Sequence, residues 1–287
     1  MKIAHLILVH KDPEQLARLI DKLSHPDADI YVHVDRKTSV EEFIRVCKKP
    51  NVYLIKKRIK VHWGSYSIVQ ATLNGFKQIL TAKKGYSYIN LLSVSDYPIK
   101  SNAEIHSFFA KHPDKIWMEY FTEESAWWQK IKTRVTKYHL TDYNFKGSYT
   151  LSTLLNMFFP DRVAPANLEF VGRSQWLTIT EEAARYIIYY LQNNPSVEKF
   201  FKLTWGADEV LIQTILYNSH LKDKIVNNNL RYTDWSDDGD SPKVLTMTDA
   251  PKLRISPHLF ARKFDMAKSP EILDFLDSVT SNKPKEQ

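Results

Sequence analysis

Ile3-Ala4-His5-Leu6-Ile7-Leu8-Val9 is a nearly continuous apolar run, broken only by His5. A strand with one wet face alternates apolar and polar residues, whereas a run without alternation suits a parallel strand covered on both faces. Outward from it, Asp12 and Pro13 open a helix in which Leu16, Leu19, Ile20 and Leu23 recur at helical spacing. Residues 30–34 form a second strand ending in Asp35, and 52–55 a short third. Residues 67–80 are an amphipathic helix with Val69, Leu73, Phe76 and Leu80 on one face. Residues 88–94 are an apolar strand closed by Ser95-Asp96-Tyr97-Pro98, and 103–109 a short helix. This order predicts an α/β sheet with helices on its faces. Ligands of such sheets gather at the carboxyl ends of the strands, here Val9-His10, Asp35-Arg36 and Ser95-Asp96. Turns after strands are polar by default, so position alone assigns no role.

Residues 113–170 hold Trp117, Tyr120, Phe121, Trp127 and Trp128 among Lys130, Lys132, Arg134 and Lys137, and predict loops and irregular helices. Aromatic faces beside polar groups suit carbohydrate rings, and equally ordinary packing. Beyond them, 174–179 reads as a strand, and 181–192 and 208–217 as helices. No repeat or low-complexity linker divides the chain. The expected organisation is one domain over 1–279 and a polar, frayed tail over 280–287.

Composition narrows the function. The 287 residues are 43% hydrophobic and 25% charged, a globular balance. Only seven are glycine, and none has the spacing of a dinucleotide fingerprint or a P-loop. One cysteine, Cys47, excludes intrachain disulfides and multi-cysteine zinc sites and points to a reducing compartment. No run of 18 apolar residues exists, and the N-terminal run is too short and interrupted for a signal peptide. The net charge of +7 fits nucleic acid, an anionic membrane surface or a polyanionic small substrate. The basic residues are dispersed, which weakens the nucleic-acid reading.

Several segments bear chemistry. In Trp205-Gly206-Ala207-Asp208-Glu209-Val210, Asp208 suits an N-cap and Glu209 either the first helical turn or a general base. Arg262 and Lys263, between Phe260 and Phe264, make a solvated basic turn or a phosphate clamp, with Lys243 a further cation. Asp237-Asp238-Gly239-Asp240 reads as a solvated turn rather than a cation site, and Asp27-Ala28-Asp29 precedes its strand where a metal motif would follow one.

Taken in order over residues 3–266, the motifs resemble the glycosyltransferase family of the core-2/I-branching β-1,6-N-acetylglucosaminyltransferases and the peptide O-xylosyltransferases. The segments are Val9-His10, Tyr31-Val32-His33-Val34-Asp35-Arg36-Lys37, Trp63-Gly64-Ser65-Tyr66-Ser67 and Ile89-Asn90-Leu91-Leu92-Ser93-Val94-Ser95-Asp96-Tyr97-Pro98. Later come Gly172-Arg173-Ser174-Gln175-Trp176, Asp208-Glu209, Leu230-Arg231-Tyr232-Thr233-Asp234-Trp235 and Leu259-Phe260-Ala261-Arg262-Lys263-Phe264.

The resemblance implies an α/β, GT-A-like nucleotide-diphospho-sugar transferase fold, with a mixed central sheet flanked by helices. It implies an inverting transfer from a UDP-sugar to a glycan hydroxyl, with no metal and no other cofactor. Ser93-Val94-Ser95-Asp96 offers one carboxylate where a D-x-D motif would sit, and basic side chains take the metal's place. By motif match, Glu209 is the base. Val9, His10, Asp35, Ser65 and Asp96 belong to the donor site with Lys243, Arg262 and Lys263 on the diphosphate. Glu119, Lys130, Arg134 and Trp235 fall on the acceptor side. The donor expected is UDP-N-acetylglucosamine, forming a β-1,6 link in surface glycan synthesis. UDP-xylose is the alternative, and a non-catalytic nucleotide-sugar or glycan binder the alternative of another class. Without the anchor, stem and paired cysteines of secretory-pathway relatives, the expected location is cytoplasmic, with peripheral contact at an anionic inner membrane considered and no nucleic-acid partner.

Overall fold

A computed structural model of the chain describes residues 1–143, 145–237 and 239–281. Asp238 of the acidic stretch and 282–287 of the expected tail lie outside the described residues. The first half runs β1 (Ile3–Val9), α1 (Pro13–Leu23), β2 (Ala28–Val34), α2 (Glu41–Cys47), β3 (Val52–Leu54), α3 (Tyr66–Thr81), β4 (Tyr88–Ser93), β5 (Asp96–Pro98) and α4 (Asn102–Lys111). Then follow β6 (Ile116–Thr122), α5 (Ala126–Thr136), α6 (Ser148–Phe158), β7 (Val171–Thr180), α7 (Glu181–Asn193), α8 (Pro195–Phe201) and α9 (Leu211–Tyr217). The last elements are β8 (Ile225–Asn227), β9 (Arg231–Thr233), α10 (Ala250–Ile255), β10 (Phe260–Arg262) and α11 (Pro270–Thr280).

Seven strands form a mixed sheet in the order β3-β2-β1-β4-β7-β6-β8. β1 pairs in parallel with β2 and β4, while β7 runs antiparallel to both β4 and β6. The apolar run of β1 is buried on both faces, as its lack of alternation predicts. Ala4 and Leu6 join one core with Leu73 and Phe76 of α3 and Ile187 of α7. Ile3, Ile7 and Val9 join the other with Leu16 and Leu19 of α1 and Leu276 of α11. A second sheet, β5-β10-β9, packs beside the carboxyl ends of the large one.

The sequence reading leaves α2, α8 and the elements after α9 unassigned, and three further differences bear on the site. Residues 116–122 form β6, an interior strand, where loops and helices were expected. Its first half is buried and its second half half-exposed, so it carries neither a clean alternation nor a full apolar run. Ser95-Asp96-Tyr97-Pro98 is not only a closing turn, since Asp96–Pro98 pairs antiparallel with β10. The helix expected from 208 begins at Leu211, and Ala207–Glu209 is a separate 3₁₀ turn. Asp208 makes no capping hydrogen bond there, because the break before α9 leaves no helical N–H within its reach.

Candidate active site

Where the strands end, the chain encloses a cavity of about 770 Å³, a size that holds a small organic ligand. Val9, His10 and Asp35 arrive from the ends of β1 and β2, and Ser93, Val94 and Ser95 from the end of β4. Glu119 of β6, the Arg173–Trp176 segment of β7, Asp208 and Glu209, and Arg262 and Lys263 complete the opposite wall. Residues over 250 positions apart thus share one enclosure.

Glu209 is fixed by its surroundings. Arg134 Nη1, at the end of α5, donates to Glu209 Oε2 at 2.8 Å. The same guanidinium lies 4.0 Å from the Trp205 ring centroid, so an aromatic face and a carboxylate both hold it. The turn before Glu209 is pinned where Gly206 N–H donates to Gly64 C=O at 2.7 Å and Trp205 N–H to Arg134 C=O at 3.1 Å. Gly64 has φ +68°, and a Cβ there would stand 2.6 Å from the Trp205 indole nitrogen. Gly172 of β7 meets the backbone of Glu209 so closely that a Cβ would lie 2.3 Å from the Glu209 carbonyl oxygen. Side chains are excluded at both positions for the sake of the carboxylate's place.

Burial pushes the Glu209 carboxyl up and Arg134 pulls it down. Asp208 beside it is pushed up to about 7 by burial and by the neighbouring Glu209 charge. Two adjacent carboxyls, both pushed up by burial and one of them held by an arginine, make a site able to take a proton from a hydroxyl.

The cations of the cavity are short of counter-charge. Burial, Arg262 and Lys11 together push the Lys263 ammonium down. Burial also lowers Arg262, whose guanidinium lies 4.4 Å from the Trp176 ring centroid. Its Nε has no hydrogen-bond partner and stands 3.6 Å from Asp96 Oδ1, which is equally unpartnered. A half-compensated buried guanidinium beside an under-neutralised lysine suits an anion. Arg231, buried and pushed down to about 10, bonds the carbonyl oxygens of Leu91 and Leu177 and ties β4 to β7 beneath the cavity.

Some expected site residues stand elsewhere. Asp96 is fully buried below the cavity rather than lining it, accepting from Ser93 N–H at 2.7 Å and Ser93 Oγ at 2.5 Å. Ser65 is buried at the start of α3, accepting from Ser67 N–H at 3.2 Å and donating to His62 C=O at 2.9 Å, so it shapes the turn without facing the cavity. Lys243 is engaged by Asp249 at 3.0 Å and does not line the cavity. The partner lies only six residues on, but the turn at 246–249, not the spacing, is what points Asp249 back at Lys243. Lys130 lies exposed on α5, away from the cavity, because helical periodicity turns it opposite to buried Trp128 and Ile131. Arg134 reaches the site through Glu209 rather than by lining it. Glu119 does line it, accepting from Asn229 Nδ2 at 2.9 Å with Arg173 Nε 3.8 Å away, and burial pushes its carboxyl up.

Trp235 lines the cavity while 49% exposed, and Trp63, at 69%, does the same, so the two indoles stand at its mouth. Trp63, Trp176 and Arg173 were not singled out from sequence. The signal was present, since each sits in one of the quoted motifs, but an aromatic or arginine in a motif does not say which way it faces. Asp35 is steadied by Lys37 N–H, which donates to its Oδ1 at 2.8 Å. Burial pushes neighbouring His33 down to about 4, leaving a neutral ring that accepts from Ile59 N–H at 3.0 Å. Among the described residues no group of three or more histidine, cysteine or acidic side chains is arranged to hold a metal ion.

A mixed sheet flanked by helices, with a polar cavity at its strand ends, gives the chain an α/β architecture of the ligand-binding kind. It belongs to the Core-2/I-Branching enzyme family, whose profile matches residues 3–257. The chain is similar to xylosyltransferase 2 of Rattus norvegicus, 26% identical over 301 residues that cover 96% of this chain and 33% of the relative. A xylosyltransferase of Ciona intestinalis is 24% identical over 297 residues, covering 96% and 34%. The chain thus spans about a third of the length of the curated relatives it matches. Among solved structures, galactosyltransferase LgtC in complex with donor and acceptor sugar analogs superposes with TM-score 0.46 and 10% identity over 98% of both chains. Apo mouse xyloside xylosyltransferase 1 does so with TM-score 0.38 and 11% identity, over 90% of this chain and 97% of that one.

Proposed function

We propose that the chain transfers a sugar from a UDP-sugar to a glycan hydroxyl with inversion. The observation that carries this reading is the enclosure of Glu209 and the Arg262-Lys263 pair in one cavity. An inverting transfer needs one base to take the acceptor proton as its oxygen attacks C1, and fixed positive charge to meet the departing diphosphate. Glu209 is the base, and Arg134 favours its ionised form against the opposing effect of burial. Arg262 and Lys263 receive the negative charge that grows on the phosphoryl oxygens, and Val9, His10 and Asp35 line the nucleoside end. Trp63 and Trp235 offer indole faces to sugar rings at the mouth. The proposal includes independence of a divalent metal, with the two cavity cations supplying the fixed positive charge.

N-acetylglucosamine remains the first donor to test for the family, while the relatives named xylosyltransferase favour UDP-xylose. UDP release measured over a panel of nucleotide sugars, with and without EDTA, tests the reading. Release that depends on acceptor and survives EDTA is expected. No release with any UDP-sugar, alongside tight UDP binding, supports the non-catalytic alternative instead. Complete loss in EDTA removes the metal-independent part.

A further inference from the structure

Helix α6 faces the wrong way for a solvated helix. None of its residues is buried. Its polar stripe is turned inward: Asn156 exchanges bonds with the Tyr138 backbone at 2.7 and 2.9 Å, and Ser152 Oγ accepts from Leu140 N–H at 3.2 Å. Five of its six apolar residues point out, Leu155 being half-buried, and Thr150 and Thr153 are exposed among them. Tyr149 is 85% exposed, Met157 66% and Phe158 74%, and Leu151, Leu154 and Phe159 are also exposed. Tyr143 and Phe145 before the helix and Val163 after it extend the patch. Amphipathic helices of globular domains do the reverse, and so many large exposed apolar side chains close together in sequence mark an interaction surface.

The segment is held firmly, so this is a presented surface. Arg162 N–H donates to Thr136 C=O at 2.7 Å, Arg162 Nη1 donates to Leu203 C=O at 2.6 Å, and its guanidinium lies 3.9 Å from the Phe200 ring centroid.

We propose that α6 and its flanks dock on an anionic lipid bilayer, lying in the plane of the interface. Charge selects this occupant. Between Asp142 and Asp161 the sequence has no carboxylate, Lys146 is exposed beside the helix, and Lys130 and Lys132 are exposed on the preceding α5. Outward phenylalanine, tyrosine, methionine and leucine with flanking lysines match an interfacial helix. Its 11 residues reach about 16 Å, half of a bilayer's hydrocarbon core, so it lies on the membrane and does not span it.

Co-sedimentation of the whole chain with vesicles tests the proposal without requiring catalysis. Vesicles of phosphatidylcholine alone are compared with an equimolar mixture of phosphatidylcholine and phosphatidylglycerol. Binding to the mixed vesicles is expected, weaker to the neutral ones, and reduced by salt. Met157→Ser with Phe158→Ser lowers that binding by about tenfold or more, with unchanged circular dichroism. Lys146→Glu weakens binding to the mixed vesicles only. Absence of sedimentation with either vesicle overturns the proposal, as does binding unaffected by both variants. A dimer seen by sedimentation velocity and abolished by the serine pair assigns the patch to a second copy of the chain, and overturns it too.

Discussion

Arg134→Met tests the assignment of Glu209 through its titration. Arg134 Nη1 lies 2.8 Å from Glu209 Oε2. Unit charges at that separation attract by about 1.5 kcal/mol in bulk water and about 6 kcal/mol at an effective dielectric of about 20. The side chains are 25% and 35% exposed, so solvent screens the pair and the lower part of that range applies, about 1.5–3 kcal/mol. The guanidinium favours the ionised carboxylate, and burial opposes it. Its removal leaves burial unopposed, so the pKa rises. The acidic limb of kcat/KM, which reports the base in the free enzyme, therefore moves to higher pH by about one to two units. Above the displaced limb, activity recovers. Because Asp208 and Glu209 interact, the limb belongs to the pair and is read as one apparent value. UDP release at substrate well below KM, followed across pH, gives the profile, and Arg134→Lys should displace it less. A limb that stays in place in a folded Arg134→Met variant refutes the claim that this arginine sets the base.

Three further outcomes are expected. Glu209→Gln lowers kcat by about 10²- to 10⁴-fold with UDP affinity by calorimetry unchanged; full turnover in that variant excludes the base role. Lys263→Ala lowers kcat by about 10²- to 10³-fold, whereas Lys243→Ala lowers Tm by stranding Asp249 and leaves kcat unchanged; steady-state kinetics and thermal melts separate the two, and the reverse pattern returns Lys243 to the diphosphate. Gly172→Ala forces a methyl against the Glu209 carbonyl oxygen, so Tm drops and kcat of the folded variant falls as well; unaltered kinetics would show that the close approach does not position the carboxylate.

Most of the sheet was legible because its cause is local. The unbroken apolar run of β1, the helical spacing of α1 and α3 and the strand at 88–93 each record burial in a few adjacent residues. β6 was not legible. It changes from buried to half-exposed along its length, so its periodicity fades although its place is interior. The site divides the same way. Val9, His10 and Asp35 follow from the rule that sheets bind at strand ends, and Glu209 and Lys263 from the ordered motifs. Lys243 and Arg134 did not, because the local turn that aims Asp249 at Lys243 and the distant Glu209 that meets Arg134 are set by conformation, which residue types alone do not state.

The sequence by itself determined the alternation of strands and helices, the motifs that place the chain in its family, and which residue types were available for proton transfer and charge neutralisation. Only the tertiary structure decided that Arg134 restrains Glu209, that Asp249 occupies Lys243, that Asp96 lies beneath the cavity, and that α6 turns its apolar side outward. Backbone periodicity is written in neighbours a few residues apart, whereas the charge, burial and direction of a side chain depend on groups that folding brings together from distant segments.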